Sequence, residues 1–339
     1  MNPGNPKLTI GLIVLFALVI VFSVPFFGSA SLSFSDVFIS TEDETNDSFQ
    51  KIFWQLRMPR VLLGFLAGAA LSISGMVFQA VFRNPLATPF TLGVSSGAAL
   101  GATISITLGT SFTFLGISTI SLFAFAGAFT SLIIVYGISA IRGSLSTAGL
   151  LLAGVAVSLF CSSLILFIQY ISGLSNSFRI LRWLMGGIEI VGYESIVNIL
   201  PLVIIGTFLI FLYLRELNLL SIDEEFAVSK GVASERTKVV LFVATTLMVS
   251  GIVSLCGPIG FVGMIVPHIC RALIGADHRY LFFASFFFGG AFLTICDTFA
   301  RLIVEPVEIP VGIITALLGG PFFIGLLIFR FGNIRNVRI

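Results

Sequence analysis

Long apolar runs, separated by short charged or Gly/Pro-rich connectors, occupy almost the whole of this chain. A helix needs about 20 residues to cross a hydrocarbon core of roughly 30 Å, and every run except the eighth approaches that length. The runs lie at residues 8–27, 61–81, 92–109, 114–139, 146–170, 190–214, 238–256, 259–274, 280–304 and 311–330. The sequence therefore predicts an all-α integral membrane protein in which ten transmembrane helices form one domain over residues 1–339.

The composition excludes several other classes of protein. Hydrophobic residues make up 57% of the chain and charged residues only 10%, against about 25% charged residues in soluble domains. The mean hydropathy is +1.11. The net charge of +2 is small and the basic residues are scattered along the chain, so we expect membrane lipid and no nucleic acid among its partners.

The distribution of basic residues between connectors predicts the orientation. With the N-terminus inside, the inside connectors and termini hold twelve Lys and Arg residues and the outside connectors hold six. Because cytoplasmic loops carry the excess of basic residues, this bias predicts that both termini are cytoplasmic. The expected location is the cell inner membrane, crossed many times.

Two connectors are longer than the rest: an outside connector over residues 28–60 and an inside connector over residues 215–238. The inside connector mixes charges of both signs with apolar residues and contains Gly231 near its middle. This composition favours short helices outside the membrane that are available to a cytosolic partner. A merely solvated loop is the alternative interpretation.

Small residues recur at helical spacing in this chain. Gly93, Gly97 and Gly101 lie four residues apart, which predicts close packing of helices. The second and seventh runs each contain a central Ser-Gly pair, at 74–75 and 250–251. Because an offset of five helices reverses orientation, this match suggests an inverted repeat of helices 2–5 and 7–10.

Charged residues and catalytic or metal-binding motifs are rare inside the apolar runs. Asp297 is the one charged residue well inside a run, and it lies one helical turn from Arg301. Ion or proton coupling by Asp297 and a structural ion pair with Arg301 are the two interpretations. The chain carries no G-x-x-x-x-G-K-[ST] phosphate loop, and His268 and His278 are not spaced as a metal-binding helix pair. We therefore expect no catalytic residues, metal or cofactor, with any ATP used by a partner subunit.

Three arginines are predicted to share the outside face. Arg57 and Arg60 flank Met58-Pro59 just before the second run, and Arg301 lies near the outer end of the ninth. Because guanidinium groups pair well with carboxylates, these residues predict a dock for an acidic partner or ligand. Ordinary anchoring to lipid headgroups is the alternative.

Four long segments resemble one known family, the permease subunits of type II ATP-binding-cassette (ABC) importers for iron chelates, haem and cobalamin. In order they are RMPRVLLGFLAGAALSISGMVFQAVFRNPLATPFTLGVSSGAALGA (57–102), LSTAGLLLAGVAVS (145–158), GPIGFVGMIVPHICRALIGADHR (257–279) and EIPVGIITALLGGPFFIGLL (308–327). The resemblance implies that two permeases, a second copy or a paralogue, form a pathway at their interface. It also implies two cytosolic ABC ATPases and a periplasmic or lipid-anchored substrate-binding protein.

The resemblance also implies roles for particular residues. Arg57, Arg60 and Arg301 match the arginines that pair with glutamates of the binding protein. The cytoplasmic gate of the family matches Asn84, Leu86, Ser146 and Thr147. The ATPase-coupling segment matches Glu224, Glu225, Ala227, Lys230, Gly231 and Val232, with Lys230 where the family usually has Leu.

The resemblance predicts the function of the chain as well. It implies import of an iron chelate, first of all a ferric siderophore, by alternating access, with ATP hydrolysis left to the partner. Haem or cobalamin import is the alternative within the family. An ion-coupled secondary transporter and an intramembrane enzyme are the alternatives from other classes.

Overall fold

The computed structural model describes residues 6–28, 33, 37, 44–110, 112–114, 117–140, 147–190, 192–304 and 307–335. Ser146, one of the predicted gate residues, lies outside these residues.

The described residues form helices joined by short turns. The α-helices are α1 (Pro6–Ser23), α2 (Glu44–Lys51), α3 (Met58–Val81), α4 (Val94–Leu108), α5 (Thr119–Ala140), α6 (Thr147–Ile171), α7 (Leu174–Leu184), α8 (Glu194–Leu212), α9 (Leu214–Ile222), α10 (Glu224–Ser229), α11 (Ser234–Cys256), α12 (Val262–Ile274), α13 (His278–Leu302) and α14 (Val311–Arg335). Short 3-10 helices cover Val24–Phe26 and Pro89–Leu92, and a two-stranded antiparallel hairpin pairs β1 (Thr113–Phe114) with β2 (Ile117–Ser118).

The helices confirm the predicted membrane architecture. Within the described residues, seven helices are long and apolar enough to cross a membrane. The apolar helices α4 and α12, together with the apolar stretch Val311–Leu326 of α14, complete the ten predicted runs. The short eighth run is the 13-residue helix α12. In hydrocarbon a helix satisfies its own backbone hydrogen bonds, which explains why apolar runs alone locate the helices so well.

The second membrane helix begins inside the connector predicted over residues 28–60. The helical segment runs continuously over Ser48–Val81, and its residues Ile52–Arg57 are π-helical. Pro59 has no N–H to donate to the carbonyl oxygen four residues earlier, at Gln55. The backbone N–H of Gly192 donates to that oxygen instead, at 2.8 Å. The proline thus explains how this end of the helix is joined to the loop before α8.

The pattern of helix contacts fits the suggested inverted repeat. Helix α3 packs on α12 and α13, and its counterpart α11 packs on α4 and α5. Within the two halves, α4 contacts α5 as α12 contacts α13. Each of these contacts therefore has a counterpart between the corresponding helices of the other repeat.

Close backbone approach holds the centre of the bundle together. A Cβ atom at Gly75 of α3 would overlap the carbonyl oxygen of Gly263 of α12, and one at Gly97 of α4 would overlap that of Gly127 of α5. Gly93, predicted on the same helix face as Gly97, instead precedes α4 with a φ of +78°. It adopts a left-handed turn before the helix, a conformation that favours glycine, and a Cβ there would also lie only 3.3 Å from the carbonyl oxygen of Gly154 of α6.

Candidate functional site

Polar side chains concentrate at the two opposite ends of the bundle. The arginine end contains Arg57, Arg60 and Arg301, and the connector end contains α9, α10 and the turn after α3. Helix α3 joins them: it has 24 residues, or about 36 Å of length. Arg60 lies in its first turn, and Arg83 lies just beyond its last residue.

Arg60 is the centre of the arginine end. Its Nε lies 2.9 Å from Oδ2 of Asp297, and its Nη2 lies 3.0 Å from Oδ1 of the same carboxylate. Its Nη1 donates to Oε2 of Glu308 at 2.7 Å. The guanidinium group therefore bridges α13 and the segment before α14. Two parallel bonds to one carboxylate make a strong and directional contact.

The other two arginines lie beside this group. Arg301 Nε is 3.4 Å from Asp297 Oδ2, an i, i+4 ion pair on α13. Arg57 is 8% exposed and donates from Nη1 to the carbonyl oxygens of Pro25 and Phe26, at 3.1 and 3.3 Å. The three predicted residues are thus brought to one end of the bundle. The side chains of Arg60 and Arg301 are only 15% and 10% exposed.

The arginine cluster, meaning Arg57, Arg60, Arg301, Asp297 and Glu308, carries one positive charge in excess when all five groups are ionised. The sequence interpretation of Asp297 as an ion-pair partner of Arg301 agrees with the structure. Its stronger contact, with Arg60, joins residues 237 positions apart, and no pattern in the sequence signals it. Glu308 was not singled out by the sequence either.

The connector end is organised around Asp223. Its side chain caps α10 by accepting hydrogen bonds from the backbone N–H groups of Glu225 and Phe226, at 2.9 and 3.2 Å. Arg83 Nη1 donates to Asp223 Oδ2 at 2.9 Å. The bond from Phe226, together with those from Glu225 and Arg83, lowers the pKa of Asp223. Arg83 directly precedes the predicted gate residue Asn84, so this ion pair links the connector to the gate turn.

Glu224 ties the connector to the start of α11. Its Oε1 accepts hydrogen bonds from Ser234 Oγ, at 2.6 Å, and from Lys238 Nζ. Partial burial favours the neutral carboxyl, yet the hydrogen bonds from Lys238 and Ser234 outweigh it and lower the pKa of Glu224. The predicted coupling residue Glu224 therefore positions the connector.

The remaining predicted coupling residues close α10. Ala227 is buried, and its carbonyl oxygen accepts from the N–H of Val232 at 3.1 Å. Gly231 has a φ of +85°, which permits the turn out of the helix. Lys230, at the position where the family usually has Leu, lies 5.5 Å from the ring centroid of Phe226. With lysine at this position, the connector surface carries a positive charge beside an aromatic ring.

A polar cavity of about 350 Å³ opens beside this surface. It is lined by residues of α9, of the turn after α10 and of the first turn of α11. They include Tyr213, Arg215, Glu216, Lys230, Val232 and Arg236. A recess of this volume has room for one or two side chains.

The predicted gate residues occupy the turn after α3 and the start of α6. Asn84 Oδ1 accepts from the N–H of Leu86 at 3.0 Å, and Asn84 O accepts from the N–H of Ala87 at 3.1 Å. These bonds form a rigid Asx turn. Thr147 is the first residue of α6.

Two polar links at the connector end were not signalled by the sequence. Asn218 of α9 donates to Asp277 Oδ1 at 2.8 Å and accepts from the N–H of His278 at 2.9 Å. Gln79 of α3 accepts from Arg271 Nη2 at 3.1 Å and donates to the carbonyl oxygen of Gly263 at 3.2 Å. Single Asn and Gln residues have no spacing that marks them, so only the fold identifies these links.

A bundle of apolar helices with charged side chains at both ends, and a helical connector at one of them, is the architecture of a multi-pass membrane protein. Comparison with known proteins agrees: residues 13–329 match the FecCD transport family, and the chain belongs to it. Its structure is similar to "An inward-facing conformation of a putative metal-chelate type ABC transporter", with a TM-score of 0.84, 32% identity and coverage of 96% of this chain and 100% of that one.

Relatives in sequence are also permeases. The chain is 43% identical over 285 residues to the cobalamin import system permease protein of Halobacterium salinarum, covering 83% of this chain and 74% of that protein. It is 35% identical over 325 residues to the hemin transport system permease protein of Yersinia pestis, covering 96% of each. The chain is therefore a permease of the type II ABC importer fold, as the sequence resemblance predicted.

Proposed function

We propose that this chain moves an iron chelate, with a ferric siderophore as the first candidate, into the cytoplasm by alternating access. A separate ATPase, present in two copies, drives the movement, and a substrate-binding protein loads the chelate. The observation that carries the proposal is the placement of a net-positive arginine cluster and a helical connector at opposite ends of one bundle. One end suits an acidic docking partner and the other suits an energy-coupling partner.

The orientation follows from the charges of the connectors. In this proposal the arginine end faces outward and the connector end faces the cytoplasm, where both termini also lie. The bias of twelve basic residues inside against six outside supports this arrangement.

Docking of the binding protein is assigned to Arg57, Arg60 and Arg301. Three cations against two carboxylates leave a local positive potential that attracts acidic groups and speeds their approach. Reversing these charges one by one, as Arg→Glu, should weaken capture of the loaded binding protein progressively. Unchanged affinity of the triple variant would show that docking uses another surface.

Coupling to the ATPase is assigned to the connector, residues 215–238. The exposed side chains of Phe226, Val228 and Lys230 protrude from α10 beside the polar cavity. They form a mixed apolar and charged surface of the kind that binds a protein partner. Replacing residues 227–231 with a flexible Gly/Ser segment should separate ATP hydrolysis from transport. A normal ratio of transport to hydrolysis after that replacement would contradict the assignment.

A second permease, either another copy or a paralogue, completes the pathway in this proposal. Helix α6 exposes large apolar side chains, among them Leu152, Leu159, Phe160 and Phe167. Such a face is stable against lipid or against an equivalent helix, so a pathway wall and a dimer contact are both compatible with it.

Haem and cobalamin are the second candidates for the substrate, because the relatives named above import hemin and cobalamin. The test is uptake by the chain reconstituted in liposomes with its ATPase and binding protein. ATP-dependent accumulation of a radiolabelled ferric siderophore, but not of haem or cobalamin, is the expected result. Uptake by the chain alone on an ion gradient would instead support a secondary transporter and overturn the proposal.

A further inference from the structure

Arg60 holds two carboxylates of very different accessibility. The side chain of Asp297 is 5% exposed and makes two hydrogen bonds to the guanidinium group. The side chain of Glu308 is 52% exposed and makes one, at 2.7 Å. The first contact is an internal part of the bundle. The second lies at the surface, where water or another carboxylate can compete for the same N–H group.

Glu308 also has a distinctive place in the chain. It lies in the short non-helical segment that leads into α14, three residues before that helix begins at Val311. The N–H of the next residue, Ile309, donates to the carbonyl oxygen of Ala300 at 3.2 Å. This bond attaches the segment to α13, and the contact between Arg60 and Glu308 attaches the same segment to the first turn of α3.

We propose that Glu308 is an internal substitute for the acidic group of the docking partner. When the binding protein arrives, one of its carboxylates replaces Glu308 on Nη1 of Arg60, while Asp297 keeps its two bonds to the same guanidinium group. This inference rests on the proposed docking function and adds an exchange step to it.

Replacing Glu308 by a carboxylate of the partner costs little electrostatic free energy. Arg60 is paired with two carboxylates before and after, so its charge is never left without a partner at partial burial. Glu308 is already half in water, so its release requires little new hydration of the carboxylate. After the exchange, the segment before α14 no longer contacts α3 through Arg60. Docking thereby loosens the entry of a membrane helix from α3, while the hydrogen bond from Ile309 to Ala300 keeps that entry attached to α13.

The test measures the affinity of the permease, assembled with its ATPase in lipid nanodiscs, for the binding protein of the same importer. Glu308→Gln removes the competing charge, so capture should tighten by about two- to fivefold, the range expected for loss of one exposed ion pair. Glu308→Asp keeps the charge and should behave like the native chain. Glu189→Gln is the matched control, because Glu189 is an exposed acidic residue, 63% accessible, paired with Arg182 rather than Arg60.

A spin label at position 307, introduced by Val307→Cys, reports the exchange itself, since Val307 is 63% exposed and adjacent to Glu308. The label should become more mobile when the binding protein docks, and Glu308→Gln should make it mobile beforehand. Unchanged or weaker capture by Glu308→Gln, equal tightening by Glu189→Gln, or an unchanged label in the complex would each overturn the exchange. These results leave docking itself intact, whereas normal capture after Arg60→Glu would overturn the proposed docking function.

Discussion

Removal of the Asp297 carboxylate is the sharpest test of how the arginine cluster is built. Asp297 is 3% exposed and pairs with both Arg60 and Arg301, whose side chains are 15% and 10% exposed. Removing one member of a buried ion pair leaves an uncompensated charge, at a cost of about 3–5 kcal/mol. Because Glu308 still contacts Arg60, we expect Asp297→Ala to lower the free energy of unfolding by about 3 kcal/mol, the lower end of that range.

The assay is equilibrium unfolding of the purified chain in mixed detergent micelles, with Glu189→Ala as the control. Glu189 forms an ion pair with Arg182 at 2.7 Å, as short as the pair between Arg60 and Glu308 in the cluster. It differs in exposure, because the side chains of Glu189 and Arg182 are 63% and 71% exposed. That pair should contribute less than about 1 kcal/mol. In the Asp297→Ala background, Arg301→Leu should restore part of the lost stability by removing a surplus cation. Equal effects of Asp297→Ala and Glu189→Ala would refute the view that burial gives the cluster its strength.

Three further changes probe the rest of the molecule. Gly75→Leu should prevent stable folding, because its Cβ would overlap the backbone of α12. Gly137→Leu should be tolerated, because a Cβ there meets no neighbouring helix within 4 Å; the yield of monodisperse protein measures both effects. Asp223→Ala should lower the rate of transport more than the rate of ATP hydrolysis, because it removes the ion pair between the connector and the gate turn. An unchanged ratio of transport to hydrolysis would count against that link. The lowered pKa of Glu224 keeps its carboxylate ionised, and bonded to Lys238 and Ser234, at a pH of about 4.3, where an ordinary glutamate is half protonated. These bonds should be lost only at lower pH, and amide exchange of residues 224–234 as a function of pH is the measurement.

The membrane helices were predictable because one physical constraint dominates them. Backbone groups in hydrocarbon must be hydrogen-bonded within the segment, so an apolar run of sufficient length has one outcome. Helix α7 escaped prediction because this argument does not apply to it. Its 11 residues alternate apolar groups with Ser, Asn and Arg, and they are too few to span a membrane.

The candidate site was predictable only where its contacts are local. Asp297 and Arg301 are four residues apart on one helix, so helical periodicity places them together. The contacts of Arg60 with Asp297 and Glu308 join distant segments, and their existence depends on how α3 and α13 pack. The resemblance to a family indicated that the arginines matter. It did not indicate that they already hold carboxylates of their own.

Two adjacent helices join the polar ends of the molecule. Helix α3 contributes Arg60 to the arginine cluster and leads into Arg83, which pairs with Asp223 of the connector. Helix α13 contributes Asp297 to the same cluster and begins at His278, whose N–H is bound by Asn218 of the connector. Both helices therefore contact the two polar regions directly, and they pack closely where a Cβ at Gly68 would overlap the carbonyl oxygen of Gly289. This close packing leads us to expect that a movement of the connector is felt at the groups that hold Glu308; a pair of spin labels at the two ends, measured with and without ATP, is the test.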